Sequence, residues 1–167
     1  MIIREEQPQG AHPVRAVNLS AFETGAEANL VDTLRQQARP VVSLVAHEGA
    51  EVVGHIMFTP VSLPRHPELS IMGLAPMAVA PAHQCKGIGS ALVYAGLERC
   101  HQLSVGAVVV LGHPSYYCRF GFQPSVRFGI GSEYEAVPAA FMLLELQPGY
   151  MRGASGTVQF HAAFKAV

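Results

Sequence analysis

The sequence predicts an α/β (α+β) fold: a mixed central sheet with a parallel pair of strands at its middle and helices packed on it. Three observations carry that reading. Two β-branched runs, 41–46 and 52–59, flank the turn-like His47-Glu48-Gly49-Ala50-Glu51, which is the pattern of a hairpin. Apolar residues Ile88, Ala91, Leu92 and Ala95 recur at i, i+3, i+4 and i+7, the spacing of one helix face. That helix lies between a strand at 71–79 and the unbroken apolar run Ala107-Val108-Val109-Val110-Leu111, which reads as a strand buried on both faces. A strand, a helix and a strand in that order make a parallel pair.

The remaining elements follow in chain order. Residues 1–4 predict a short strand. Val14, Val17, Leu19 and Phe22 predict a helix over 13–22, and Leu30, Val31 and Leu34 a second over 26–38. Thr24 stands three residues before Glu27, the spacing of a capping box, and Pro40 ends the helix. The Pro- and His-bearing stretch 60–70 is a loop. Pro76 falls inside the strand at 71–79 and has no N–H to donate, so the ladder must be interrupted or bulged there. The clearest helix spans 87–102, a short turn or helix occupies 114–120, and 141–146 is a late strand. A final segment, 148–167, begins Gly-rich and ends with Val158, Phe160 and Phe164. It is expected to cover a sheet edge or to pack on a second subunit.

Composition excludes several function classes. Half of the 167 residues are apolar and 14% are charged, against a usual charged share of about 25%, so the chain folds as one domain with a core and is not disordered. Eleven basic against twelve acidic residues give a net charge of −1, which excludes general nucleic-acid binding through phosphate neutralisation. Cys85, Cys100 and Cys118 are odd in number and have no close pairing, which favours a reducing compartment over a disulfide scaffold. No C-x-x-C or H-x-x-x-H pair suggests zinc, and no metal is expected. With no secretory h-region and no apolar run of about 20 residues, the expected location is cytoplasmic.

The stretch that carries chemistry is Pro81-Ala82-His83-Gln84-Cys85-Lys86-Gly87-Ile88-Gly89-Ser90-Ala91, between the strand at 71–79 and the amphipathic helix. Gly87 and Gly89 let the backbone curl closely, and the helix start presents unpaired N–H groups with the positive end of its dipole. A phosphate or pyrophosphate fits there without a cationic side chain, and Lys86 adds a screened charge. The Walker pattern is absent because no Lys-Ser or Lys-Thr follows the second glycine. A dinucleotide G-x-G-x-x-G would need glycine where Leu92 stands.

Gln84-x-x-Gly87-x-Gly89, after Leu74-Ala75-Pro76-Met77-Ala78-Val79 and before a helix, resembles the [Q/R]-x-x-G-x-[G/A] motif of the GNAT superfamily of N-acetyltransferases. Downstream, Tyr117-Cys118-Arg119-Phe120-Gly121-Phe122 is similar to that family's Y-x-x-x-G-F segment. More closely, the chain resembles bacterial predicted acetyltransferases with L-A-P-x-A-V and L-G-x-P-x-Y-Y-x-R-F-G-F signatures. The resemblance spans about 1–147, which would be the acetyltransferase domain, with 148–167 an extension on the same domain or on a dimer partner.

The resemblance implies a GNAT-like sheet of six to seven strands with helices on both faces and its central parallel strands splayed. Acetyl-CoA would lie in the splay. The backbone of Met77, Ala78 and Val79 would pair with the pantetheine arm, and the backbone of Gln84, Cys85, Lys86, Gly87, Ile88, Gly89 and Ser90 would hold the pyrophosphate. One strand N–H would polarise the thioester carbonyl. A neutral primary amine would attack the thioester directly in a ternary complex.

Tyr117 occupies the position where the family often places the acid that serves the departing thiolate, with Tyr116 the next choice. Packing with Phe120 and Phe122 would equally explain Tyr117. The base is less defined: Glu27 borders the expected acceptor pocket, with Glu23 one helical turn away, and His113 has a suitable pKa. A covalent route through Cys85 is not expected, since no base is near it in sequence. Many family members carry an Asn in the helix after the fifth strand, and Gly112-His113-Pro114-Ser115-Tyr116-Tyr117 has none. The resemblance implies a small-molecule or protein amine as acceptor, with homodimerisation a family-level expectation. The alternative from another class is a non-catalytic acyl-CoA-binding or regulatory module of the same fold. A ligand-free dimeric scaffold would require the Gly87/Gly89 turn to be empty.

Overall fold

The computed structural model describes residues 1–134 and 138–167. Its main sheet has seven strands: β1 (Ile2–Glu5), β2 (Val42–Glu48), β3 (Glu51–Val61), β4 (Ile71–Val79), β5 (Ala107–Leu111), β6 (Gln123–Pro124) and β8 (Phe141–Glu145), in the order β1-β2-β3-β4-β5-β8-β6. Among the described residues β4–β5 is the parallel pair of that sheet, and its other neighbours are antiparallel. Strand β3 runs on to Val61, into the stretch expected to be loop. Two short segments, β7 (Ile130–Ser132) and β9 (Gly156–Val158), form a separate parallel pair that sequence periodicity does not reveal.

Helix α3 (Ile88–Gln102) covers one face, burying Ile88, Leu92, Val93 and Leu97 against Ile56, Phe58 and Met72. Gly96 lets α3 approach closely: a Cβ there would stand 2.1 Å from the Phe58 ring. Helices α1 (Ala11–Ala21) and α2 (Ala26–Gln37) cover half of the other face, where Val14, Leu30, Val31 and Leu34 pack on Val45 and Met57. The rest of that face is closed by the β7–β9 pair and the final segment. Met151, Val158 and Phe160 lie over Ile71, Val109 and Leu143 there. Helices therefore sit on both faces, but half of one face is covered by irregular chain.

The expected capping box does not form. Gly25 caps α2 without a side-chain bond, and Thr24 Oγ1 accepts instead from the Ala26 N–H at 3.2 Å. With the cap one residue late, Glu27 is the second helical residue and is too early to reach back. Its carboxylate is released for another use.

A buried polar chain ties α1 and α2 to the sheet. Asn18 Nδ2 donates to the Val14 carbonyl at 3.0 Å and meets His55 Nδ1 at 3.2 Å, which leaves Nε2–H of His55 to donate to Ser43 Oγ at 2.9 Å. Ser43 donates onward to Glu6, and Glu6 is held by Arg35 at 2.6 Å. Burial, reinforced by Arg35, pushes the His55 pKa down to about 3, so the ring is neutral near pH 7.

Candidate active site

The site begins where the central strands part. β4 and β5 pair only over Ile71↔Ala107, Met72↔Val108 and Gly73↔Val109, and beyond Gly73 the two strands separate. Antiparallel pairing of β4 with β3 continues past a bulge: Leu74 faces Phe58 and Met77 faces Ile56, so Ala75 and Pro76 together oppose Met57. The interruption expected at Pro76 is this bulge.

Register decides which backbone groups reach the gap. The Ala80 N–H donates to the Val53 carbonyl at 2.9 Å, which makes Ala80–Val53 a hydrogen-bonded pair. By alternation Ala78–His55 is one too, and the Met77 and Val79 backbone groups turn away from β3 toward the gap. Ala78, expected to pair with ligand, instead spends its backbone on β3. Gln84 Nε2 donates to the Val79 carbonyl at 3.0 Å and straps the loop to the strand. The Met77 N–H and carbonyl and the Val79 N–H are left facing the groove.

The loop curls as its glycines require. Gly87 has φ +85° and caps α3, and Cys85 adopts φ +61° although it carries a Cβ. Backbone of such alternating handedness turns successive N–H groups into one concavity, here opening onto the start of α3. A Cβ on Gly89 would stand 3.1 Å from the Tyr116 hydroxyl, so glycine keeps this cradle open. The groove has a volume of about 790 Å³ and is lined by Met77, Val79, Gln84, Cys85, Gly87, Ile88, Gly89 and Ser90. Lys86 is exposed and is not among the lining residues. Arg119 does line the groove, its guanidinium 4.6 Å from the centre of the Tyr116 ring. Sequence reasoning left it without a role, although it stands within the quoted Tyr117–Phe122 segment.

The two tyrosines separate by position. Tyr116 hangs over the start of α3, its hydroxyl 3.5 Å from Ser90 Oγ. Tyr117 lines both the groove and a second chamber of about 300 Å³. Met77 and Leu111 are the other shared walls, so the two compartments meet where β4 and β5 diverge. Edge-to-face contact with Tyr116 and Phe122 fixes the Tyr117 ring. Burial, with the neighbouring Tyr116, pushes its pKa up to about 12.

Glu27 lines the chamber, and its buried Oε2 has no hydrogen-bond partner among the described residues. Glu23 is exposed and does not line the chamber; His113 lines the groove as the N-cap of the short helix α4 (Pro114–Tyr117). The stretch at 60–70 does not line the chamber: Leu63, Pro64 and Arg65 border a different depression. Phe164, from the final segment, does line it.

Comparison with known proteins accounts for this arrangement. The model of the Acetyltransferase (GNAT) family matches residues 11–122. The chain belongs to the GNAT acetyltransferase family. It is 33% identical over 165 residues to the uncharacterized N-acetyltransferase YhbS of Escherichia coli (strain K12), a match covering 98% of each chain. A crystal structure of the E. coli YhbS GNAT-family N-acetyltransferase in complex with CoA superposes with a TM-score of 0.91 at 32% identity, over 98% of this chain and 91% of that one. A GNAT-family acetyltransferase from Brucella melitensis, in complex with acetyl-CoA, gives a TM-score of 0.79 at 35% identity, over 98% and 97%. With the family shown and two such relatives in complex with CoA or acetyl-CoA, the enzyme reading prevails over a non-catalytic module.

Proposed function

We propose that this GNAT enzyme transfers an acetyl group from acetyl-CoA to a primary amine held in the second chamber. The observation that carries the proposal is the meeting of the groove and the chamber at Met77, Leu111 and Tyr117. The residues present fit the ligand: an unpaired strand edge suits an amide-bearing arm, and the cradle at Cys85, Gly87 and Gly89 suits a pyrophosphate. That the two relatives are in complex with CoA and with acetyl-CoA supports the same choice of ligand. Acetyl-CoA supplies the activated acyl group: the C–N bond forms as the C–S bond breaks, and of the two protons lost by the ammonium, one goes to sulfur and one to solvent.

Each residue then has a task. Met77 and Val79 hold the pantetheine arm through their outward backbone groups, and a groove-facing N–H polarises the thioester carbonyl. The backbone from Gln84 to Ser90 and the Arg119 guanidinium hold the phosphates. Glu27 draws the ammonium into the chamber and accepts its first proton, directly or through water. Tyr117 donates a hydrogen bond to the leaving sulfur. Its phenol, near 12, is too weak an acid to surrender the proton outright: against a thiol near 8.5, transfer is uphill by about 5 kcal/mol. A donor that keeps its proton stabilises the developing thiolate all the same. Residues 1–147 form the catalytic domain, and 148–167 belong to it by closing the chamber. The free thiols of Cys85, Cys100 and Cys118 fit a reducing, cytoplasmic setting.

The test is calorimetric titration of acetyl-CoA into the wild type and into Gly89→Glu, which puts bulk and negative charge in the cradle. Wild-type binding that falls at least about 100-fold in a folded variant is expected, a loss of about 2.7 kcal/mol. Equal binding by both proteins would remove the pyrophosphate from this loop.

A further inference from the structure

The chamber states the chemistry of what it takes. Its walls include Phe22, Leu30, Leu74, Pro76 and Phe164, with Tyr117 at the junction and Val167 also lining it, and Glu27 is the charged side chain set among them. No Lys, Arg or His lines it among the described residues. One carboxylate oxygen is buried without a partner. A buried acceptor atom left unpaired costs free energy, so a donor arriving from a ligand recovers what folding left unsatisfied.

Resting on the acetyltransferase reading, we infer that the acceptor is a small monoamine carried on an apolar alkyl or arylalkyl body. One carboxylate balances one ammonium. The second charge of a polyamine would find no second acidic side chain among the chamber's described walls, and setting it against hydrocarbon is costly. A free amino acid brings a carboxylate of its own into walls that offer no cation and that already hold Glu27. The volume of about 300 Å³ is at the lower end for a small-molecule site, enough for a ring and a short arm. Phe164 lines the chamber, and its own ring is fixed against Phe160 at 5.5 Å between centres. The final segment thereby becomes a selectivity element.

The experiment compares 2-phenylethylamine, spermidine, phenylalanine and a lysine-containing peptide as acceptors, by thiol release from acetyl-CoA. In parallel, equilibrium binding of each amine to the CoA-loaded protein is measured. We expect kcat/KM for 2-phenylethylamine to exceed that of each other amine at least tenfold. Glu27→Gln should raise its KM at least tenfold and leave acetyl-CoA affinity within about twofold. Phe164→Ala should raise the KM for 2-phenylethylamine several-fold with little change for ethylamine, since only the larger body reaches that wall. Preference for spermidine, phenylalanine or the peptide would overturn the acceptor class and leave acetyl transfer standing. If no amine is acetylated, binding still decides: tight binding of 2-phenylethylamine that Glu27→Gln weakens supports the chamber's specificity although the reaction reading fails, and absence of binding overturns the specificity.

Discussion

Replacing Tyr117 by Phe removes one oxygen at the junction of the two compartments and little else. The ring is held by Tyr116, Phe120 and Phe122 through contacts that phenylalanine keeps. Its hydroxyl has no hydrogen-bond partner among the described residues, so folding stability should stay within about 0.5 kcal/mol. The catalytic loss should be larger. A hydrogen bond to a charged acceptor contributes about 1.5–3 kcal/mol, which translates into a 10- to 150-fold fall in kcat. Because the bond strengthens as sulfur gains charge, kcat and kcat/KM should fall together while acetyl-CoA affinity changes less than about twofold. The pH profile gives a second reading. With a phenol near 12, Tyr117 stays protonated through pH 10, so wild type and variant should share one profile shape and differ only in height. Stopped-flow thiol release at saturating acetyl-CoA from pH 6.5 to 9.5 measures both. An unchanged kcat would refute the donor role, and a high-pH falling limb present only in the wild type would refute the proton-retaining form of it.

Other positions make sharper or simpler tests. Cys85→Gly should be neutral or stabilising by up to about 1 kcal/mol: relief of a left-handed residue, roughly 1–2 kcal/mol, is offset by glycine's entropy in the unfolded chain. Acetyl transfer should persist in that variant, whereas its loss would reopen a covalent thiol route. Gly96→Ala should destabilise the fold by about 2–3 kcal/mol in urea titrations, because the new methyl meets the fully buried Phe58 ring at 2.1 Å. Stability should also fall on acidification. The His55 pKa is depressed in the folded state, so its contribution is complete above about 6.5 and is lost progressively as pH falls toward about 3. Between pH 7.5 and 5 the loss should be about 2 kcal/mol, and His55→Gln should flatten it; parallel slopes for both proteins would disprove the assignment.

What could be read in the sequence was local. The hairpin, the strand–helix–strand order, the glycine loop and the break at Pro76 all rest on neighbours within a few residues. What could not be read depends on chain segments far apart. Ala78 looks equivalent to Met77 and Val79 until the register with β3 is known, and that register is set by the bulge. Thr24 and Glu27 have the spacing of a capping box, yet the helix begins one residue late and Glu27 faces the chamber. His55 stands in an apolar strand, and its partners Asn18 and Ser43 come from separate elements. Phe164 reaches the chamber from the far end of the sequence, packed on Phe160, whose ring lies over Gly73 where β4 and β5 last pair. Short strands such as β7 and β9 carry too few residues for periodicity to register.

The bulge at Ala75 and Pro76 also sets the parity of β4. Before it, even-numbered side chains, Met72 and Leu74, point toward α3; after it the odd-numbered ones, Met77 and Val79, do. The backbone changes phase with them, so one inserted residue determines that positions 77 and 79 have amide groups free for an arriving arm. An unbulged strand of otherwise similar composition would offer Ala78 alone. On the proposed reading, part of the specificity for the acyl donor is therefore held in a count of residues as well as in side-chain chemistry.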